Sequence, residues 1–131
     1  MQRAQSKFVL DASALLALLN TEDGSAVVQE FLPHATISTV NLAEVVTRLS
    51  SLGMPAEQVR QVLGVLGLET IPFDEEQAFR AGLISANTRS LGLSLGDRAC
   101  LALALTTHTV ALTADREWKK LDIGIEIRLI R

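Results

Sequence analysis

The chain has 131 residues, 48% of them apolar, and a formal net charge of −3. That length suits one domain with its own core, and no apolar run approaches the roughly 18 residues that a bilayer span needs. The lone cysteine, Cys100, excludes an intrachain disulfide and reads as a small core hydrophobe in an apolar helix.

In chain order, FVLDAS (Phe8 to Ser13) predicts a short buried strand and a turn, with Ser13 as the cap of the helix ALLALLN. A second helix is expected from about Gly24 to Leu32, ended near Pro33, and ATIS is a second strand. TVNLAEVVTRLSSLG is an amphipathic helix stopped by Gly53. Pro55 suits the first turn of the next helix, which ends near Gly67. LETIPF is a third strand, and DEEQAFRAGLISANTRSLG is helical with an acidic first turn that complements the helix dipole. DRACLALALTTH is the last long helix, TVALTAD a fourth strand and IGIEIRLI a fifth. Strands alternating with helices predict an α/β sandwich around a mostly parallel sheet. The whole of residues 1–131 is expected to form this one domain, with Met1 to Ser6 a short polar tail; the absence of a charged-then-apolar leader points to a soluble, cytoplasmic protein.

Charge is uneven along the chain. Residues 1–79 carry 4 basic and 10 acidic side chains, whereas residues 80–131 carry 8 basic and 5 acidic. The basic surplus makes Arg89, Arg98 and Arg116 candidates for contacts to phosphate. The high apolar content predicts an exposed patch that meets a partner, most simply a second copy of the chain.

Four carboxylates lie against apolar sequence. Asp11 ends the first strand, Asp115 follows the fourth, Asp97 starts the helix leading into the fourth, and Glu44 lies near the start of the helix after the second. In open α/β sheets ligands gather at the carboxyl ends of the strands, and each of these positions falls at that rim. Singly, each acid has a structural explanation: a turn or cap for Asp11, a helix N-cap for Asp97, a pair with Arg48 for Glu44, a strand-end turn for Asp115. Together they would repel one another, and a hard dication such as Mg²⁺ or Mn²⁺ removes the conflict. Ser13 and Thr113, each two residues from an aspartate, can orient a carboxylate, and Asn41 lies three residues before Glu44 on the same helix face.

The set D-x-S at Asp11 to Ser13, Glu44, S-L-G-D ending at Asp97 and T-x-D at Thr113 to Asp115 resembles the PIN-domain nucleases, and within them the VapC-type toxins of prokaryotic toxin–antitoxin pairs. The likeness runs over nearly the whole chain, departing in about six extra residues before the first strand and in Trp118, where many relatives carry phenylalanine. It implies a PIN-like three-layer sandwich with sheet order 3-2-1-4-5. It also implies an endoribonuclease dependent on one or two Mg²⁺ or Mn²⁺ ions, with Asp11, Glu44, Asp97 and Asp115 as catalytic metal ligands and Ser13 and Thr113 as supporting hydroxyls. A homodimer and a cognate antitoxin protein complete the implied picture, the latter docking on apolar helices around Val27 to Leu32 and Val59 to Leu66.

On that reading a metal-activated water hydrolyses an RNA phosphodiester, leaving 5′-phosphate and 3′-hydroxyl ends. The competing readings are a catalytically inactive PIN-fold module that binds RNA or protein, and a metal-dependent phosphatase. The first is disfavoured by the full set of acids. The second needs another aspartate two residues after Asp11, where Ser13 stands. His34 and His108 are expected away from the site.

Overall fold

Strand β1 (Phe8–Leu10) is the middle of the sheet and is buried at every position. Its neighbours are β2 (Ala35–Ser38) and β4 (Val110–Thr113), flanked in turn by β3 (Glu69–Ile71) and β5 (Ile127–Leu129). All pairs are parallel and the order is β3-β2-β1-β4-β5. This computed structural model describes residues 6–131, so the expected polar tail, Ser6 apart, lies outside the described residues.

A parallel sheet must be covered on both faces, and β1 shows how. Phe8 and Leu10 point into one core, with Ile37 and Leu112, while Val9 points into the other, with Ala111. The first core is closed by α1 (Ala12–Leu19), α2 (Ser25–Phe31), α3 (Thr39–Ser51) and α4 (Ala56–Gly64). The second is closed by α5 (Glu75–Asn87) and α6 (Leu95–Thr107), with Trp118 fully buried beside them. Residues Ala99 through Ala104 are all buried, so α6 is apolar all round, as a helix packed on several sides must be. None of the described helices is long and apolar enough to cross a membrane.

Several local expectations are corrected. The cap of α1 is Asp11, which accepts from the Ala14 amide; Ser13 lies inside the first turn and turns its hydroxyl elsewhere. The cap of α6 is Ser94, with Asp97 three residues on completing a reciprocal capping box. Pro33 sits within a one-turn 3₁₀ helix (Leu32–His34), and α4 ends at Gly64 rather than near Gly67. The helix expected to run to Gly92 stops at Asn87, where the Thr88 hydroxyl donates to the Ile84 carbonyl and a separate 3₁₀ turn (Arg89–Leu91) follows. Strand β5 is shorter than IGIEIRLI because its only ladder partner, β4, offers four residues. The segment before it contains an unforeseen 3₁₀ helix (Arg116–Lys120). His34 and His108 precede β2 and β4, at the rim opposite the carboxylates.

Candidate active site

Asp11 leaves β1 at its carboxyl end, its amide donating to the Leu112 carbonyl of β4 (3.1 Å). Its side chain is 4% exposed and is held by three donors: the Ser13 hydroxyl (2.7 Å) and Ala14 amide (2.8 Å) at Oδ1, and the Thr113 hydroxyl (2.5 Å) at Oδ2. Burial pushes its carboxyl pKa up to about 6; the three hydrogen bonds oppose the shift, and the charge of Asp97 adds to it. The two hydroxyls belong to a relay. Ser13 Oγ also accepts from the Ala114 amide (3.0 Å), and Thr113 Oγ1 accepts from the Asp115 amide (3.0 Å). Thus the end of β4 is tied to the end of β1 through side chains as well as through the ladder.

Glu44 reaches the same rim from α3. It is held not by Arg48 but by Asn41, one turn earlier, whose Nδ2 donates to Glu44 Oε1 (3.0 Å) and to the Gly96 carbonyl (2.9 Å). Asn41 is 1% exposed, and its clasp joins α3 to the first turn of α6. Gly96 has no room for a side chain: a Cβ there would collide with both oxygens and the carboxyl carbon of Glu44. Partial burial, and then the charge of Asp97, push the Glu44 carboxyl above its usual range, against the hydrogen bond from Asn41.

Asp97 follows Gly96 directly and spends Oδ2 on the Ser94 amide (3.0 Å). One turn deeper, the fully buried Cys100 thiol is pushed well up by burial and then by the charges of Asp11, Asp97 and Glu44. The Asp115 amide is linked to Asp11 through Thr113, and the Asp115 Oδ1 caps the 3₁₀ helix by accepting from the Glu117 amide (3.0 Å).

The acids therefore differ in how far the structure assembles them. The charge of Asp97 acts on both Asp11 and Glu44. Asp115 is linked to Asp11 only by its backbone amide, through the Thr113 hydroxyl. Among the described residues no group of three or more His, Cys, Asp or Glu side chains is arranged to hold a metal ion. The chemistry of the donor set nevertheless suits a hard dication. Glu44 Oε2, Asp97 Oδ1 and Asp115 Oδ2 accept no protein hydrogen bond among the described residues, each acid having committed only its other oxygen. Mutual repulsion among carboxylates is the conflict such an ion relieves.

The arginines separate. Arg116 is exposed beside Asp115, and Arg89 is exposed on its 3₁₀ turn. Arg98 is turned away, its guanidinium donating to the Ala81 carbonyl of α5 (3.0 Å). Gly96 was not singled out from the sequence; its only signal is its place between Leu95 and Asp97, which gives no hint that Glu44 will lie across it.

Residues 8–124 match the family model described as PIN domain. No curated protein sequence matches the chain significantly. Among solved structures, the DNA-bound VapBC from Salmonella typhimurium superposes with TM-score 0.77 at 22% identity, over 97% of this chain and 100% of that one. VapBC2 from Rickettsia felis, bound to a DNA fragment from its promoter, gives TM-score 0.73 at 19% identity over 93% of this chain and 97% of that one. VapBC-1 from nontypeable Haemophilus influenzae gives TM-score 0.72 at 16% identity over 94% and 97%.

Proposed function

This chain belongs to the PIN-domain family, and from that premise we propose that it is a dication-dependent endoribonuclease and the toxin of a toxin–antitoxin pair. The observation that supports the reading is the placing of Asp11 on three donors at the end of β1, together with the Asn41 clasp that joins Glu44 of α3 to the first turn of α6, beside Asp97.

Bound there, Mg²⁺ or Mn²⁺ (one ion or two) would neutralise the acids, lower the pKa of an attacking water and polarise the phosphate. The protein's part is orientation. Ser13, Thr113 and the Ala14 amide fix Asp11 so that neither oxygen can swing away. Asn41 holds Glu44 Oε1 and leaves Oε2 without a protein donor among the described residues. The capping roles of Asp97 and Asp115 likewise fix one oxygen each and leave the other without a protein donor among the described residues. Preorganised ligands of this kind cost little to bring into position when substrate arrives.

The partner reading follows from two surfaces. The apolar helices expected to receive an antitoxin divide: on α2, Val28 is buried and Phe31 stacks on Phe8, so that segment serves the core. The other segment lines an open apolar groove of about 450 Å³ between α3 and α4, with Leu42, Val46, Met54, Val59 and Leu63 on its walls. Its occupant is taken to be an apolar segment of the antitoxin, because the superposed structures are VapBC complexes. The homodimer is assigned to the exposed Phe79 and Leu83, one turn apart on α5.

The test is incubation of the purified chain with structured RNAs, with and without Mg²⁺ or Mn²⁺, and mapping of product ends. Cleavage only with the dication, giving 5′-phosphate and 3′-hydroxyl ends, supports the reading. No cleavage of any RNA by antitoxin-free protein in either ion would defeat it and favour a binding module.

A further inference from the structure

The acidic cup repels RNA phosphates from a distance, so something must draw the polyanion in. Among the described residues several cations are already engaged: Arg80 with Glu76 (3.1 Å), Lys120 with Glu117 (2.7 Å), Arg131 with Glu22 (3.3 Å) and Arg98 with the Ala81 carbonyl (3.0 Å). Arg116, Lys119 and Arg128 have no carboxylate partner among the described residues. All three line one open cleft of about 530 Å³ along the edge strand β5, where Glu126 is the only acid. The other cations without such a partner, Lys7, Arg48, Arg60 and Arg89, are spread over separate parts of the fold.

At its Leu129–Ile130 end the cleft adjoins the carboxyl end of β4. Leu129 of β5 lies opposite Thr113 of β4, and the Ile130 amide donates to the Thr113 carbonyl (2.9 Å). Thr113 in turn bonds Asp11, and Arg116 follows Asp115 directly. Arg128 is also preorganised. Its guanidinium lies 5.8 Å and 5.4 Å from the ring centroids of Phe8 and Phe31, a stacked pair that steadies it while leaving its charge unneutralised. Charges on an edge strand also discourage strand-to-strand association. That role accounts for Arg128 but not for Arg116 and Lys119, which stand on the neighbouring 3₁₀ helix.

We propose that Arg116, Lys119 and Arg128 form a phosphate-binding track along the β5 edge that carries single-stranded RNA to the carboxylates at the ends of β1 and β4. The proposal rests on the nuclease reading for the identity of its ligand, but its test reads binding and needs no cleavage. In an Asp11→Asn background with Mg²⁺ present, the affinity of a fluorescein-labelled single-stranded RNA is measured by anisotropy across a salt series. The triple variant Arg116→Ala/Lys119→Ala/Arg128→Ala should bind at least about 10-fold more weakly at low salt. The slope of log affinity against log salt should fall by about 2, since each phosphate contact on a single strand contributes about 0.7. The control Arg48→Ala/Arg60→Ala, on α3 and α4, should match the parent. The double variant Arg116→Ala/Lys119→Ala leaves the Phe8–Phe31 packing untouched and should show an intermediate loss even where the triple variant folds poorly. If parent and track variants bind alike with equal slopes, or if the track variants only self-associate, the track is wrong while the nuclease reading stands. A parent that binds no RNA even at low salt overturns the track and the nuclease reading together.

Discussion

The carboxylate of Glu44 lies across the α-carbon of Gly96, so the residue before Asp97 must be glycine for Glu44 to reach the cup. Gly96→Ala would gain about 1 kcal/mol of helix propensity and lose a comparable amount by displacing Glu44. The displaced atoms are the end of a flexible chain, so the overpacking cost is at the low end of the usual 1–3 kcal/mol. Thermal midpoint should therefore change by only a few degrees, while RNA cleavage falls at least about 10-fold. A variant with normal single-turnover cleavage would show that the position of Glu44 does not matter.

Asn41 is the other half of that arrangement. Asn41→Ala removes the donor to a buried Gly96 carbonyl and the hydrogen bond that holds Glu44. Leaving a buried acceptor unpaired costs about 1–3 kcal/mol, so urea denaturation should show a loss of that order, accompanied by weaker cleavage. Asn41→Asp should be worse on both counts, because it sets a carboxylate against Glu44 and a carbonyl.

Asp11 makes stability depend on pH. Its folded pKa of about 6 exceeds the usual 3.8, so the folded state binds the extra proton and stability falls as pH rises from about 4 through about 6. The full cost above that window is about 3 kcal/mol. In chelator, Asp11→Asn should flatten this part of the pH profile and be more stable than the parent at pH 7, though it abolishes cleavage. A parent whose denaturation midpoint is flat between pH 4 and 6.5 would contradict the burial of an ionisable Asp11.

Dication binding should appear as stabilisation independent of activity. An ion at about 100 times its dissociation constant adds about 2.7 kcal/mol. Mg²⁺ or Mn²⁺ should therefore raise the melting midpoint of the parent at pH 7 and leave Asp11→Asn and Asp97→Asn nearly unmoved. Asp97→Asn keeps Ser94 as the helix cap, so its own stability cost should stay near 1 kcal/mol. Equal stabilisation of all three proteins would place the ion elsewhere.

Phe79 and Leu83 are 65% and 69% exposed. Phe79→Glu/Leu83→Glu should leave the fold intact and convert a dimer to a monomer in light scattering. Unchanged mass would move the interface off α5.

Much of this was legible in the sequence because it depends on local pattern. The apolar runs at Phe8, Ala35 and Val110 are strands since a covered parallel sheet needs them apolar on both faces, and all three proved to be adjacent strands. The order of acids along the chain, set against the strand–helix alternation, placed all four at the carboxyl rim. The boundaries that failed did so for tertiary reasons: β5 is limited by the length of β4, and α5 is stopped by the bond of the Thr88 hydroxyl to the Ile84 carbonyl.

The residue types, and hence a hard, anionic donor set on an α/β scaffold, were determined by the sequence alone, because composition and periodicity are properties of neighbours along the chain. Only the tertiary structure decided that Thr113 would hold Asp11, that Gly96 must be bare beneath Glu44, that Arg98 faces inward, and that the uncompensated cations gather along β5. Those are relations between separate elements of the fold, and hydrogen bonds and charges act across space with no trace in local pattern.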